Sequence, residues 1–283
     1  MLDFLITAFA VKKIGRKSLM KKYIIANWKM LPTSWAEAEQ ILDFVNDYLE
    51  SRNEKEFSLV FCPPFVFLEE VGKILKTSHF EHEASLGAQD IFWEDKGSDT
   101  GEISGPMLNK LGVQYVIVGH SERRWKLGES DEVVNKKLKA VLRNEMIPVV
   151  CLGEKVRDED FSAKGGPASG WKKFLQEQVE KTFAGLSRDE LDKCIIAYEP
   201  VWAISSNPDA RPDSPESAIE SIKIIRDMLS FKFQVSSFKF LYGGSVTSKN
   251  ITDFIGQKEI DGVLVGGASV NKEEFVKILS LIK

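Results

Sequence analysis

Cys194-Ile195-Ile196-Ala197-Tyr198-Glu199-Pro200-Val201-Trp202-Ala203-Ile204 is the stretch on which the reading of this chain turns. Its first four residues form an apolar, strand-like run. A carboxylate, Glu199, stands where the run stops, and Pro200 fixes the next φ. Trp202 sets a large apolar ring beside the acid. A strand-end carboxylate has two readings. It is a solvated surface group, or it is a positioned proton acceptor tuned by a rigid turn and an aromatic neighbour. The choice depends on whether polar chemistry recurs at other strand ends.

Apolar runs recur at 23–26, 57–62, 85–88, 115–118, 148–151, 194–197, 239–242 and 263–265. Helical patterns lie between them. Ser34-x-x-Glu37 is a capping-box signature, and Trp35, Ala38, Leu42, Val45 and Leu49 then share one helical face. Trp171, Phe174 or Leu175, Val179 and Phe183 form another face, and Ala218, Ile222, Ile225 and Leu229 a third. A short last helix over 271–282 turns Phe275, Ile278 and Leu279 inward. Strands apolar on both faces suit a parallel sheet covered by helices. A doubly wound open sheet fits the alternation too. Eight units in this length favour a closed, single-domain (β/α)8 barrel, whose chemistry sits on the loops after the strands.

The chain has 283 residues, 43% hydrophobic and 28% charged, with net charge −4 and pI near 5.6. That acidic balance argues against nucleic acid as a partner. No apolar run approaches the length of a membrane span. Cys62, Cys151 and Cys194 lie in or beside apolar runs without C-x-x-C spacing. They read as buried free thiols of a reducing, cytoplasmic compartment, not as a metal site. Residues 1–21 differ from the rest: an apolar stretch over 2–11, then Lys12, Lys13, Arg16, Lys17 and Lys21. That order is the reverse of a secretory signal. An interfacial anchor fits such a composition. The reading adopted is a leader outside the domain, with Met20 an alternative start and the barrel running over 22–283.

Three other strand ends carry chemistry. The first run leads into Asn27-Trp28-Lys29-Met30, whose lysine is either a surface group or a fixed positive charge over the barrel mouth. The fourth leads into Gly119-His120-Ser121-Glu122-Arg123-Arg124. His120 there starts a short helix, whose positive end disfavours a protonated ring. His79 and His82 fall in a polar connection and read as surface residues. The seventh and eighth runs end in Tyr242-Gly243-Gly244-Ser245 and Gly266-Gly267-Ala268-Ser269. Glycine pairs there let backbone N–H groups approach a phosphate.

These five motifs, in this order and spacing, closely resemble the triosephosphate isomerases, and the resemblance covers 22–283. It implies an α/β TIM barrel that interconverts glyceraldehyde 3-phosphate and dihydroxyacetone phosphate, in glycolysis and gluconeogenesis, without a metal or organic cofactor. In the family, the acid matching Glu199 moves the proton between neighbouring carbons, and the histidine matching His120 acts as a neutral electrophile. Both roles are the family's known ones, not readings from spacing. The residues matching Lys29 and Asn27 stabilise the enediolate, and the acid matching Glu122 holds that lysine. The phosphate falls to the backbone around Ser205, Ser245, Gly266 and Gly267. The loop with Gln89, Asp90 and Thr100-Gly101-Glu102 resembles the one that enters a partner subunit, which implies a homodimer whose interface carries Thr100 and Glu102.

Two segments depart from the family. The loop tip Gly97-Ser98-Asp99-Thr100 has Asp99 where an aromatic is usual. After Ile204 the lid reads Ser205-Ser206-Asn207-Pro208-Asp209-Ala210-Arg211-Pro212-Asp213 instead of Gly-Thr-Gly-Lys. It is longer by about two residues. Two prolines stiffen its tip, and Arg211 is expected to reach the phosphate, or Tyr242 and Ser245. The altered lid keeps open an isomerase for a related tetrose or tetrulose phosphate. A non-catalytic phosphate-binding homologue is the third reading. Asn27, Lys29, His120 and Glu199 standing together argue against it.

Overall fold

Each apolar run becomes a strand whose C-terminal end is buried: β1 (Lys22–Asn27), β2 (Phe57–Cys62), β3 (Ala84–Ala88), β4 (Tyr115–Val118), β5 (Ile147–Leu152), β6 (Ile195–Tyr198), β7 (Lys239–Tyr242) and β8 (Gly262–Val265). The computed structural model describes residues 21–52, 57–77, 80, 84–157, 170–205, 207–234 and 237–282. All neighbouring strands pair in parallel, and β8 returns to β1 to close a barrel in strand order. The open-sheet alternative is thereby excluded. At the seam Tyr23 faces Gly262. A Cβ on Gly262 would stand 2.0 Å from the Tyr23 carbonyl oxygen, so the seam closes only around a glycine.

Strand alternation builds two apolar layers. Ile25, Val60, Ile117, Val149, Ile195 and Leu264 pack inside the barrel. Ile24, Ala26, Val116, Val118, Val263 and Val265 pack outward, beneath the helices. Those helices are α1 (Trp35–Glu50), α2 (Leu68–Ile74), α3 (Gly105–Leu111), α4 (Ser121–Lys126), α5 (Asp131–Arg143), α6 (Gly170–Thr182), α7 (Arg188–Leu191), α8 (Pro215–Phe233), α9 (Ile251–Ile255) and α10 (Lys272–Ser280). Their expected inner faces are buried, with Leu175 and not Phe174 filling the face of α6. Ser34 caps α1 through Glu37 N–H, but the Glu37 carboxylate turns to Thr33 N–H, so the expected capping box is half made. The complete box is at Ser187 and Glu190.

Strand limits differ from the sequence reading by a residue or so. β6 begins at Ile195, because Cys194 N–H is already taken by the Leu191 carbonyl, and it reaches Tyr198, which pairs with Leu152. Cys62, Cys151 and Cys194 are free and buried. Between the loop after β3 and helices α4 and α5 sits a closed ionic set. Lys137 Nζ contacts Asp90 at 2.7 Å and Glu129 at 2.5 Å, and Arg123 contacts the same two acids at 2.8 and 2.6 Å. Residues 1–20, expected to form a leader, His79, His82 and residues 158–169 lie outside the described residues. No helix among the described residues is long and apolar enough to cross a membrane.

Candidate active site

The C-terminal ends of β1, β4 and β6 carry the side chains expected to act. At β1, Asn27 is buried and its Oδ1 accepts Lys29 N–H at 3.0 Å. Lys29 sits at φ 55°, a left-handed conformation that costs a side-chain-bearing residue roughly 1–2 kcal/mol. It is held there from the far side too. Gln89 Nε2 donates to the carbonyls of Lys29 and Cys62, at 2.8 and 2.9 Å. The ammonium group meets Glu122 Oε1 at 3.0 Å. Burial opposes charge on Glu122, yet the Lys29 ammonium holds its carboxyl below the usual carboxylate range. Lys29 is therefore an oriented cation, not a loose surface group.

After β4 the chain turns at Gly119, with φ 69°, where a Cβ would collide with Arg124 and Val134 at 2.8 Å. His120 then caps α4. Its Nδ1 accepts Glu122 N–H at 3.1 Å, which requires a lone pair there and leaves the ring proton on Nε2. That Nε2 faces Glu199 Oε1 at 3.0 Å.

Glu199 is 2% exposed. Its N–H donates to the Leu152 carbonyl at 2.7 Å, which fixes the backbone beside β5. Its Oε2 accepts Ser121 N–H at 2.8 Å, at the positive end of α4. Two glycines press on it. A Cβ on Gly153 would lie 1.8 Å from the Glu199 carbonyl oxygen, and one on Gly243 would lie 2.9 Å from its Cγ. Beneath it, burial pushes the Cys151 thiol well up, and the nearby Glu199 carboxylate adds to the shift.

The hinge after Glu199 rests on a second acid. Glu154 is fully buried, and its Oε1 accepts Tyr198 OH at 2.8 Å and Trp202 Nε1 at 2.9 Å, with Arg157 Nε at 3.1 Å. Burial raises this carboxyl, while Arg157, Trp202 and Tyr198 oppose the shift. Past the hinge, Ser245 Oγ donates to the Ala203 carbonyl at 2.9 Å and accepts Ser205 N–H at 2.8 Å. Gly266 lies under the lysine: a Cβ there would stand 2.9 Å from Lys29 Cε.

A cavity of about 230 Å³ is lined by Asn27, Lys29, His120 and Glu199 together with Ser205, Ser245, Gly266 and Gly267. All eight residues singled out for chemistry and phosphate binding thus meet at one place. Thr100 and Glu102 do not join them. They are exposed on the loop between β3 and α3, whose base is pinned by Phe92 N–H on the Ile103 carbonyl. Arg211 lies with its guanidinium over the Trp202 ring at 5.3 Å, while Ser245 Oγ is engaged by Ala203 and Ser205. The sequence reading missed three contributors: Ser121, Gly153 and Glu154. Leu152-Gly153-Glu154 repeats the signal used elsewhere, a glycine and a polar residue at a strand end. The Ser121 contribution is a backbone N–H, which residue type does not announce.

The family model described as Triosephosphate isomerase matches residues 22–282. The triosephosphate isomerase of Dictyoglomus turgidum is 42% identical over 265 residues, covering 92% of this chain and 99% of that protein. That of Dictyoglomus thermophilum is 40% identical with the same coverage, and that of Alkaliphilus oremlandii is 38% identical over 92% of this chain and its own full length. With the match running from the first strand of the barrel to its last helix, the chain belongs to the triosephosphate isomerase family.

Proposed function

We propose that this enzyme interconverts D-glyceraldehyde 3-phosphate and dihydroxyacetone phosphate through an enediolate, in glycolysis and gluconeogenesis. The observation that carries the reading is the meeting of Glu199, His120 and Lys29 in one cavity with glycine backbone opposite. Glu199 takes a proton from the carbon beside the carbonyl and returns it to the neighbouring carbon. To do so it leaves Ser121 N–H and swings toward the ligand. His120 offers its Nε2 proton to the two substrate oxygens in turn. Lys29, aimed by Glu122, and Asn27, whose Oδ1 is spent on Lys29 N–H, oppose the charge that develops on those oxygens. Donors placed before the reaction are typically its largest source of acceleration. The N–H groups of Ser205, Ser245, Gly266 and Gly267 receive the phosphate. Ser205 N–H must first leave Ser245 Oγ.

The decisive assay measures turnover of glyceraldehyde 3-phosphate, with a four-carbon aldose phosphate in parallel. Faster turnover of the triose supports the reading. Preference for the four-carbon compound selects the tetrose or tetrulose phosphate alternative, and no turnover of either selects the non-catalytic one.

The reading extends to a single barrel domain over 22–283, a cytoplasmic setting and a homodimer. Met30, Val66 and Met107 are 90%, 82% and 56% exposed. They follow β1, β2 and β3, which are neighbours in the barrel, and the last of these strands leads into the loop of Thr100 and Glu102. Large exposed apolar side chains after three neighbouring strands suit burial against a second copy. Sedimentation equilibrium returning only monomer at micromolar concentration would refute the dimer.

A further inference from the structure

The lid segment is cross-linked to itself. Asn207 N–H donates to the Ile204 carbonyl at 2.8 Å, Asn207 Oδ1 accepts Asp209 N–H, and the Asn207 carbonyl accepts Ala210 N–H at 3.0 Å. Its descending limb returns to the hinge at one residue. Arg211 N–H donates to the Trp202 carbonyl at 3.1 Å, and the Arg211 guanidinium lies over the Trp202 ring. Trp202 is in turn fixed to the barrel by Glu154, and Arg157 also lies against its ring, at 5.6 Å. Asn207 Nδ2 also donates to the Val201 carbonyl at 3.3 Å, so the tip and the descending limb each meet the hinge. The guanidinium adds a second contact to Trp202, beside the backbone bond from Arg211 N–H.

Resting on the isomerase reading, we propose that Arg211 is a positioning residue: a clamp on Trp202 that makes the lid close in one piece, with no contact to the substrate phosphate. The consequence is chemical. When the lid parts from the hinge, water and solvent motion reach the enediolate. Its electron pair then expels phosphate from the adjacent carbon. The C–O bond breaks, inorganic phosphate leaves, and the remaining enol tautomerises to a 2-oxoaldehyde. A clamp therefore governs the partition between isomerisation and phosphate loss, and a residue that only stabilised the fold would not.

The test compares wild type, Arg211→Ala and Arg211→Lys. Three readouts are taken: kcat, inorganic phosphate released per isomerisation, and competitive inhibition by inorganic phosphate. For Arg211→Ala we expect kcat to fall about threefold to tenfold, the range a cation–π contact supports. Phosphate release per turnover rises, and the inhibition constant stays within twofold. Arg211→Lys, which keeps a cation for the ring, recovers most of both effects. An inhibition constant weakened fivefold or more would mean that Arg211 touches the phosphate, and would overturn the clamp. Unchanged kcat and unchanged partition would overturn it as well. Amide hydrogen exchange over residues 203–210 reads the clamp without catalysis and should quicken in Arg211→Ala. A wild type inactive on triose phosphates sinks the isomerase reading, while unchanged exchange in the variant sinks the clamp alone.

Discussion

Replacing Gly153 by alanine should disable the base without touching any group that carries a charge. The added Cβ would lie 1.8 Å from the Glu199 carbonyl oxygen and 2.5 Å from its carbonyl carbon. Both are backbone atoms, so no rotamer change relieves the overlap. Ordinary contact begins at 3.4 Å, and the Glu199 peptide must therefore retreat by about 1.6 Å. A misplacement of roughly 1 Å costs on the order of a hundredfold in rate, so kcat should drop at least about a hundredfold. Overpacking of this kind costs about 1–3 kcal/mol, which a domain of ordinary stability survives. Three of the four phosphate-binding N–H groups, at Ser245, Gly266 and Gly267, lie after β7 and β8 and not after β6, so KM should change less than kcat. Gly243→Ala serves as the graded control. Its Cβ would meet Glu199 Cγ at 2.9 Å, a side-chain atom that can turn aside, and a fall of about tenfold is expected. Steady-state kinetics with a coupled dehydrogenase gives both constants, and circular dichroism with thermal melting certifies the fold. A folded Gly153→Ala enzyme within threefold of the wild-type kcat would refute the reasoning.

Glu199→Asp should lower kcat by orders of magnitude, since a carboxylate one methylene shorter no longer reaches the carbon; an unchanged rate in the same assay would remove Glu199 from its role. Glu122→Gln should weaken the fold only where the wild-type carboxyl is ionised. Because its native pKa lies below the ordinary glutamate value, its contribution is complete above that ordinary value and disappears as the pH falls through the lowered native one. Denaturant midpoints of both proteins from pH 3 to 7 should converge toward acid, and divergence there would contradict the Lys29 pairing. Trp202→Phe removes one donor from the buried Glu154 carboxylate and should cost about 1–3 kcal/mol, read as a lowered thermal midpoint.

Much of this was legible in the residues because the fold separates its tasks. Packing uses the strand interiors and chemistry uses the strand ends, so a polar residue that interrupts an apolar run marks the site in advance. Glu199, His120 and the two glycine pairs were visible in that way. The state of Lys29 was not. Its left-handed backbone depends on Gln89, 60 positions away, and neither residue type announces the arrangement. The expected reach of Arg211 to Ser245 failed for a related reason. Ser245 Oγ is engaged by backbone of the lid's own rising limb, and the Trp202 ring, nine positions earlier, offers a guanidinium its flat face. Thr100 and Glu102 stay on the surface of the single chain, where their expected use needs a second copy. Glu37 shows the smallest scale of such surprises: its carboxylate found Thr33 N–H one residue before the cap it was expected to serve.

The ionic set of Asp90, Arg123, Glu129 and Lys137 constrains how this sequence can change. Two acids and two bases sum to zero, and each acid touches both bases. Any single neutral replacement would leave the set unbalanced by a unit charge, and loss of either base would leave two buried acids sharing one cation, at a cost of about 3–5 kcal/mol. Two simultaneous replacements of opposite sign would not. The four positions are therefore expected to vary in pairs among relatives or not at all, and a survey of natural sequences finding one of them altered alone would contradict that coupling.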